Sequence, residues 1–151
     1  MDEDHHLLAE WAIACAEHVL PLYEGEAGGD DGPIHALEIA RAWVRGEATM
    51  KIAHQASFAA NAAGRDLPEP ARFAALSAGQ AVAVAHVAAH DLGAAAYAIR
   101  AVQAAAGADQ TEDARLRERN WQREQLPSPI RALVIDDQHQ RNAICWFAFS
   151  D

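Results

Sequence analysis

His86 and His90 are four residues apart, the spacing in this chain that most directly suggests chemistry. On a helix, imidazoles at that spacing share a face and can bind one divalent metal. No Glu follows His86, so the zinc-protease pattern with its general base is absent. A third ligand would have to come from Glu17, His18, Glu38, His54 or Asp91. The competing reading is a hydrogen-bonded polar layer inside the fold, because buried imidazoles need partners. No other cofactor is expected. The glycine-rich stretch 28–32 has neither the Lys of a P-loop nor the alternating oxygen ligands of a calcium loop. None of Ser57, Ser77, Ser128 and Ser150 sits in a Gly-x-Ser-x-Gly elbow. Cys15 and Cys145 can form at most one bridge and read as reduced, structural thiols.

Carboxylates form the second constellation. The 151 residues carry a net charge of -10, which argues against nucleic acid as a partner. Residues 1–40 hold ten acids and no Lys or Arg, and residues 41–151 hold 12 acids against all 12 bases. The whole excess therefore belongs to the N-terminal quarter. Glu10 and Glu17 lie two helical turns apart, and Glu24 joins them if the helix survives Pro21. Asp30 and Asp31 precede a helix start, where the helix dipole favours carboxylates. A solvated face with a cap and an acidic surface for a basic partner both fit this pattern.

The elements that must position these residues are helical. Alanine supplies 37 residues, which favours closely packed helices and leaves few β-branched residues for strands. No stretch approaches the ~20 apolar residues of a membrane span. The acidic start Met1-Asp2-Glu3-Asp4 is the opposite of a signal peptide, so a cytoplasmic location is expected. Apolar spacing and Gly/Pro breaks predict helices over about 5–22, 33–45 and 49–63, then from 70 to a break near 90–93, and over about 92–106. Asp109-Gln110-Thr111-Glu112 reads as a capping box for a sixth helix. Its arginines, Arg115, Arg117, Arg119 and Arg123, read as a solvated, salt-bridged face. Ser128 reads as the cap of a seventh helix, with Pro129 at its first position. The expected fold is all-α, a single-domain bundle of six or seven helices over residues 1–151. The terminal run Ala143–Phe149 is the most strand-like segment; it either docks on the bundle or contacts a partner, including a homodimer mate.

The ordered set of motifs resembles an all-helical bacterial family of immunity proteins associated with polymorphic toxins. Its carriers are Cys15-Ala16-Glu17 with Leu20-Pro21, Asp30-Asp31-x-Pro33, Ala36-x-Glu38 and Arg41-Ala42-Trp43-x-x-Gly46-Glu47. Further on come Ala85-His86-x-x-x-His90, Tyr97-Ala98, and Glu118-Arg119-x-Trp121-Gln122 with Leu126-Pro127. The resemblance runs from about Trp11 to Trp146; Gly32 departs from it, standing where a basic residue is expected. It implies a protein that binds and blocks a toxin, and it carries over no catalytic residue.

Two functions are therefore expected. The first is an immunity-type binding protein that meets a basic toxin through its acidic N-terminal face. The second is a small-molecule-binding protein or enzyme with a polar pocket inside the bundle. The residues expected to bind are Glu17, His18, Glu24, Asp30, Asp31, Glu38, Tyr97 and Trp121, with His86 and His90 as metal candidates.

Overall fold

The structure, a computed structural model, describes residues 3–26 and 29–151. These fold into seven α-helices and one 3-10 turn, with no strand among the described residues. The helices are α1 (Glu3–Glu24), α2 (Gly32–Val44), α3 (Met50–Ala63), α4 (Glu69–Ala83), α5 (His90–Ala105), α6 (Thr111–Glu124) and α7 (Ser128–Arg141). The 3-10 turn is Ala143–Cys145.

α4 is the central helix, packed against α1, α2, α3 and α5. Alanine makes this possible. Ala74, Ala75, Ala78 and Ala81 on α4 and Ala94, Ala95, Ala96 and Ala98 on α5 are all buried. Such small side chains let the helices approach closely enough for Ser77 Oγ to donate to the Ala94 carbonyl at 2.7 Å. Larger residues fill the flanks. Trp11, Leu37, Ile99, Ile130, Val134 and Phe149 belong to one apolar cluster, and Val19, Tyr23 and Phe73 to a second.

α1 continues through Pro21 to Glu24. The proline removes one backbone bond near the end of the helix, and the Pro21 carbonyl still accepts from Gly25 at 3.1 Å. α2 stops where Gly46 takes a left-handed φ of 77°, letting the Glu47 amide close back on the Ala42 carbonyl at 2.8 Å. Thr49 caps α3, accepting from the Ile52 amide at 3.2 Å.

Four expectations are corrected. The break between α4 and α5 falls at 84–89, ahead of Gly93. The Val84 carbonyl left free there is taken by His5 Nε2, 2.6 Å away on α1, a tertiary contact that no local signal announces. Gln110, not Asp109, precedes α6 and makes no side-chain cap. Ser128 is the first residue of α7 rather than its cap. The strand-like run 143–149 is a 3-10 turn followed by a hook: Trp146 and Phe147 are left-handed, at φ 57° and 58°.

Candidate functional site

α6 is the element whose residues depart most from expectation. Arg115, Glu118 and Gln122 are buried. They fall at i, i+3 and i+7, so the inward stripe of this charged helix is polar. Each member reaches a partner. Arg115 donates to the Ala148 carbonyl at 3.1 Å and the Ser150 carbonyl at 2.6 Å, and pairs with Glu112. Gln122 Nε2 donates to the Ala95 carbonyl at 3.0 Å, and the Gln122 carbonyl accepts from Trp11 Nε1 at 2.8 Å. Arg119 and Arg123 add bonds to the Ser150 and Phe149 carbonyls at 2.6 and 3.3 Å. Three of the four arginines thus grip the C-terminal hook instead of forming a solvated face.

Glu118 receives His18. The His18 Nδ1 lies 2.9 Å from the Glu118 carboxylate, and the imidazole stacks on Trp121 with ring centroids 3.5 Å apart and planes 12° from parallel. Glu118 is only 4% exposed, and burial pushes its carboxyl up, with His18 and Gln122 pulling the other way. The His18 side chain is 40% exposed. In the tautomer that donates Nδ1–H to the acid, Nε2 of this part-exposed ring is an acceptor, the arrangement of an oriented imidazole base. Beneath the pair lies Cys15, fully buried, its thiol pushed up by burial and by the charges of Glu118 and Asp91. A buried thiol of that kind is not a nucleophile.

The acids of the N-terminal quarter face outward. Glu3, Asp4, Glu10, Glu17, Glu24, Glu26, Asp30, Asp31 and Glu38 are all exposed; Asp2 lies outside the described residues. Because α1 survives Pro21, Glu3, Glu10, Glu17 and Glu24 recur every seven residues along one side of one helix. Glu17 pairs with Arg41, and Glu38 stands 3.9 Å from His35. Asp30 is also structural: its Oδ1 accepts from the Gly32 amide at 2.9 Å, and its carbonyl accepts from the Tyr23 hydroxyl at 2.7 Å. Asp31 precedes α2 without a side-chain cap.

The remaining predicted residues lie elsewhere. His86 is in the 84–89 turn and His90 is the first residue of α5, so they do not share a helical face. His90 Nδ1 bonds Gln80 Oε1 at 2.8 Å, and its ring is held below the usual range by burial and then by His86 and His54. His54 and His86 approach to 4.9 Å between ring centroids. Among the described residues, no three His, Cys, Asp or Glu side chains are grouped to hold a metal ion. Tyr97 packs against Trp146, with centroids 5.0 Å apart. The structure therefore brings His18 and Trp121 together, places Glu17 beside them in sequence on α1, and sends the His86–His90 pair and Tyr97 to separate hollows. Sequence reading missed Glu118. Its signal was the helical spacing of Arg115, Glu118 and Gln122, hidden because the residues are polar.

The fold and this face define an all-helical bundle that presents a row of carboxylates beside an oriented imidazole. The chain belongs to the Imm-5 like putative immunity protein family, whose model matches residues 1–129. The match stops short of Trp146, so the body of α7 and the C-terminal hook lie beyond it. No curated protein and no solved structure matches the chain. Among the described residues, no helix is long and apolar enough to cross a membrane.

Proposed function

We propose that this immunity-family protein recognises a basic protein toxin through the carboxylate stripe of α1 and the adjoining start of α2. The observation that carries the reading is the seven-residue row Glu3, Glu10, Glu17 and Glu24, continued by Asp30 and Asp31. Glu3, Glu10, Glu24, Asp30 and Asp31 make no ion pair with a described Lys or Arg, so the charge is not spent within the chain. Like charges seven residues apart on one helix, about 10 Å, repel by at most a few tenths of a kcal/mol per pair at low salt, and by less at physiological ionic strength. A surface of this sort raises the association rate of an oppositely charged partner and penalises acidic ones.

The test is binding of a basic candidate toxin, chosen from the genes that neighbour this protein's own, measured at low and high salt. The wild type is compared with a Glu10→Gln, Glu17→Gln, Glu24→Gln variant. Affinity is expected to fall with salt and to fall in the variant, mostly through the association rate. Equal affinity in all four measurements overturns the reading.

A second reading is favoured by one specific contact, the His18–Glu118 pair. An imidazole held by a buried carboxylate and clamped on Trp121 suits proton transfer to or from a small molecule at the protein surface. If that is its use, His18→Gln abolishes turnover of that molecule while leaving toxin binding intact. Loss of toxin binding with no turnover by the wild type decides for the first reading.

A further inference from the structure

Between α5 and the C-terminal hook lies a hollow of about 250 Å³. Tyr97 and Trp146 form aromatic walls, Leu92 adds an apolar surface, and Gln80 and Arg141 bring polar groups. We infer that this hollow binds a small aromatic carboxylate, its ring against Tyr97 and Trp146 and its acid group on Arg141.

Three independent features of the hollow lead there. The first is the backbone. Trp146 and Phe147 are consecutive left-handed residues with bulky side chains, a conformation that is strained for any residue but glycine. The conformation closes the chain end, with the Phe147 amide on the Asn142 carbonyl at 2.9 Å. Gly46 makes the corresponding closure after α2 at no steric cost. A Trp in this role keeps the strain and, in return, sets its indole beside Tyr97 and 4.2 Å from the Arg100 guanidinium. Arg115, Arg119 and Arg123 hold the hook against that strain.

The second feature is charge. The Arg141 guanidinium makes no hydrogen bond or ion pair with any described residue, although it borders the hollow. A guanidinium is matched in shape by a carboxylate, which it can hold through two parallel bonds. The third is the Gln80 side chain. Its Oε1 is taken by His90, which leaves its amide N–H groups without a described partner, as donors. Gly93 makes room for it: a Cβ there would sit 2.3 Å from Gln80 Oε1. Two donors and two aromatic faces converge on one space. That space is below the roughly 300–1,000 Å³ of drug-sized ligand pockets, so the occupant is one ring with a short acid arm. Arg141, Trp146 and the rest of the hook lie beyond the family match, while Gln80, Leu92, Gly93 and Tyr97 lie within it, and none of these residues belongs to the α1 stripe.

The experiment titrates the full-length protein with benzoate, phenylacetate and benzylamine while following the Trp146 indole N–H by NMR, assigned with Trp146→Phe. Saturable shifts with the two acids and none with the amine are expected. Arg141→Gln should weaken acid binding about tenfold, the effect of losing one charge-assisted contact of ~1.4 kcal/mol. Because Arg141 is exposed, that variant folds as the wild type does. Gly93→Ala, which displaces the Gln80 tip, should weaken the acids as well. No saturable shift with either acid, equal binding of the amine, or undiminished binding by Arg141→Gln overturns the inference.

Discussion

His18 on α1 and Glu118 on α6 are joined at 2.9 Å, although a hundred residues separate them in the chain. A second polar tie between these helices runs from Trp11 Nε1 to the Gln122 carbonyl. α6 packs chiefly on α5, and what links it to α1 is side-chain hydrogen bonding rather than an apolar seam. A buried carboxylate that loses its partner costs more than a solvated one, and so does an imidazole that loses its acid. His18→Ala, which leaves the Glu118 carboxyl buried without its partner, should therefore lower unfolding free energy by about 1–3 kcal/mol. Asn120→Ala, on the exposed side of α6, should change it by less than ~0.5 kcal/mol. Urea denaturation followed by helical circular dichroism measures both. Equal effects would mean that the tie does not hold α6.

The reason this tie escaped sequence reading is instructive. Apolar periodicity marked α1 through α5 to within two or three residues at most ends, because their buried stripes are Ala, Leu, Val and Trp. α6 has the same periodicity written in Arg115, Glu118 and Gln122, and polarity at those positions reads as solvent exposure. The α4–α5 break failed for a different reason. Val84 to Ala89 contain no Gly or Pro, and the helix ends where His5 supplies a partner from another part of the chain. Composition located the acidic quarter and the exposure of its acids. It did not locate the helical turn that separates His86 from His90.

Asp91 gives the fold a pH dependence of definite sign. It sits in the first turn of α5, is 3% exposed, and burial pushes its carboxyl up to about 7. The folded state thus holds a proton that the unfolded chain has already lost above its ordinary value of 3.8. Stability must fall as pH rises from about 4 to 7, by an amount on the order of 4 kcal/mol if Asp91 acts alone. Glu118, also raised by burial, adds in the same direction. Asp91→Asn keeps the shape and removes the titration, so its stability should change much less over that range. Denaturation at pH 5 and pH 8 compares the two. A wild type more stable at pH 8 would reverse the assignment.

The arginine grip predicts where removing one charge should be felt. Arg115 is 5% exposed and bonds the carbonyls of Ala148 and Ser150. Arg115→Ala leaves the buried Ala148 carbonyl without its donor, at about 1–3 kcal/mol, while the Ser150 carbonyl keeps Arg119. Hydrogen exchange should report it as faster exchange at the Phe147–Ser150 amides, with the α4 and α5 amides following the global change. Arg117, exposed on the same helix, is the control, and Arg117→Ala should leave the hook protected.

If the α1 stripe is kept for a partner, it should be a liability to the isolated protein. Glu10→Gln and Glu24→Gln together should raise the melting temperature at low ionic strength, each substitution contributing roughly 0.2–0.5 kcal/mol, Glu24 also because it stands at the negative end of the helix dipole. The gain should shrink in 1 M salt, where the screening length falls to about 3 Å. The same variant should bind a basic toxin less well. Stability unchanged at every salt concentration would show that the stripe imposes no strain on the fold.

The left-handed pair at the hook offers the sharpest test of stored strain. Phe147 is 60% exposed and takes φ 58°, a region costly for an aromatic residue and free for glycine. Phe147→Gly loses little burial and relieves the backbone, so it should stabilise the protein by about 1 kcal/mol. Phe147→Ala keeps the positive φ penalty and should not. Trp146→Gly separates backbone from ring: the strain is relieved, but the contacts with Tyr97 and Arg100 are lost. Its stability should therefore stay within about 1 kcal/mol of wild type, while the hollow loses a wall and the aromatic acids lose affinity. Thermal unfolding of the three variants orders them as Phe147→Gly above wild type and Phe147→Ala at or below it. Should Phe147→Gly melt below Phe147→Ala, the hook is not strained, and its backbone cannot be what holds Trp146 over the hollow.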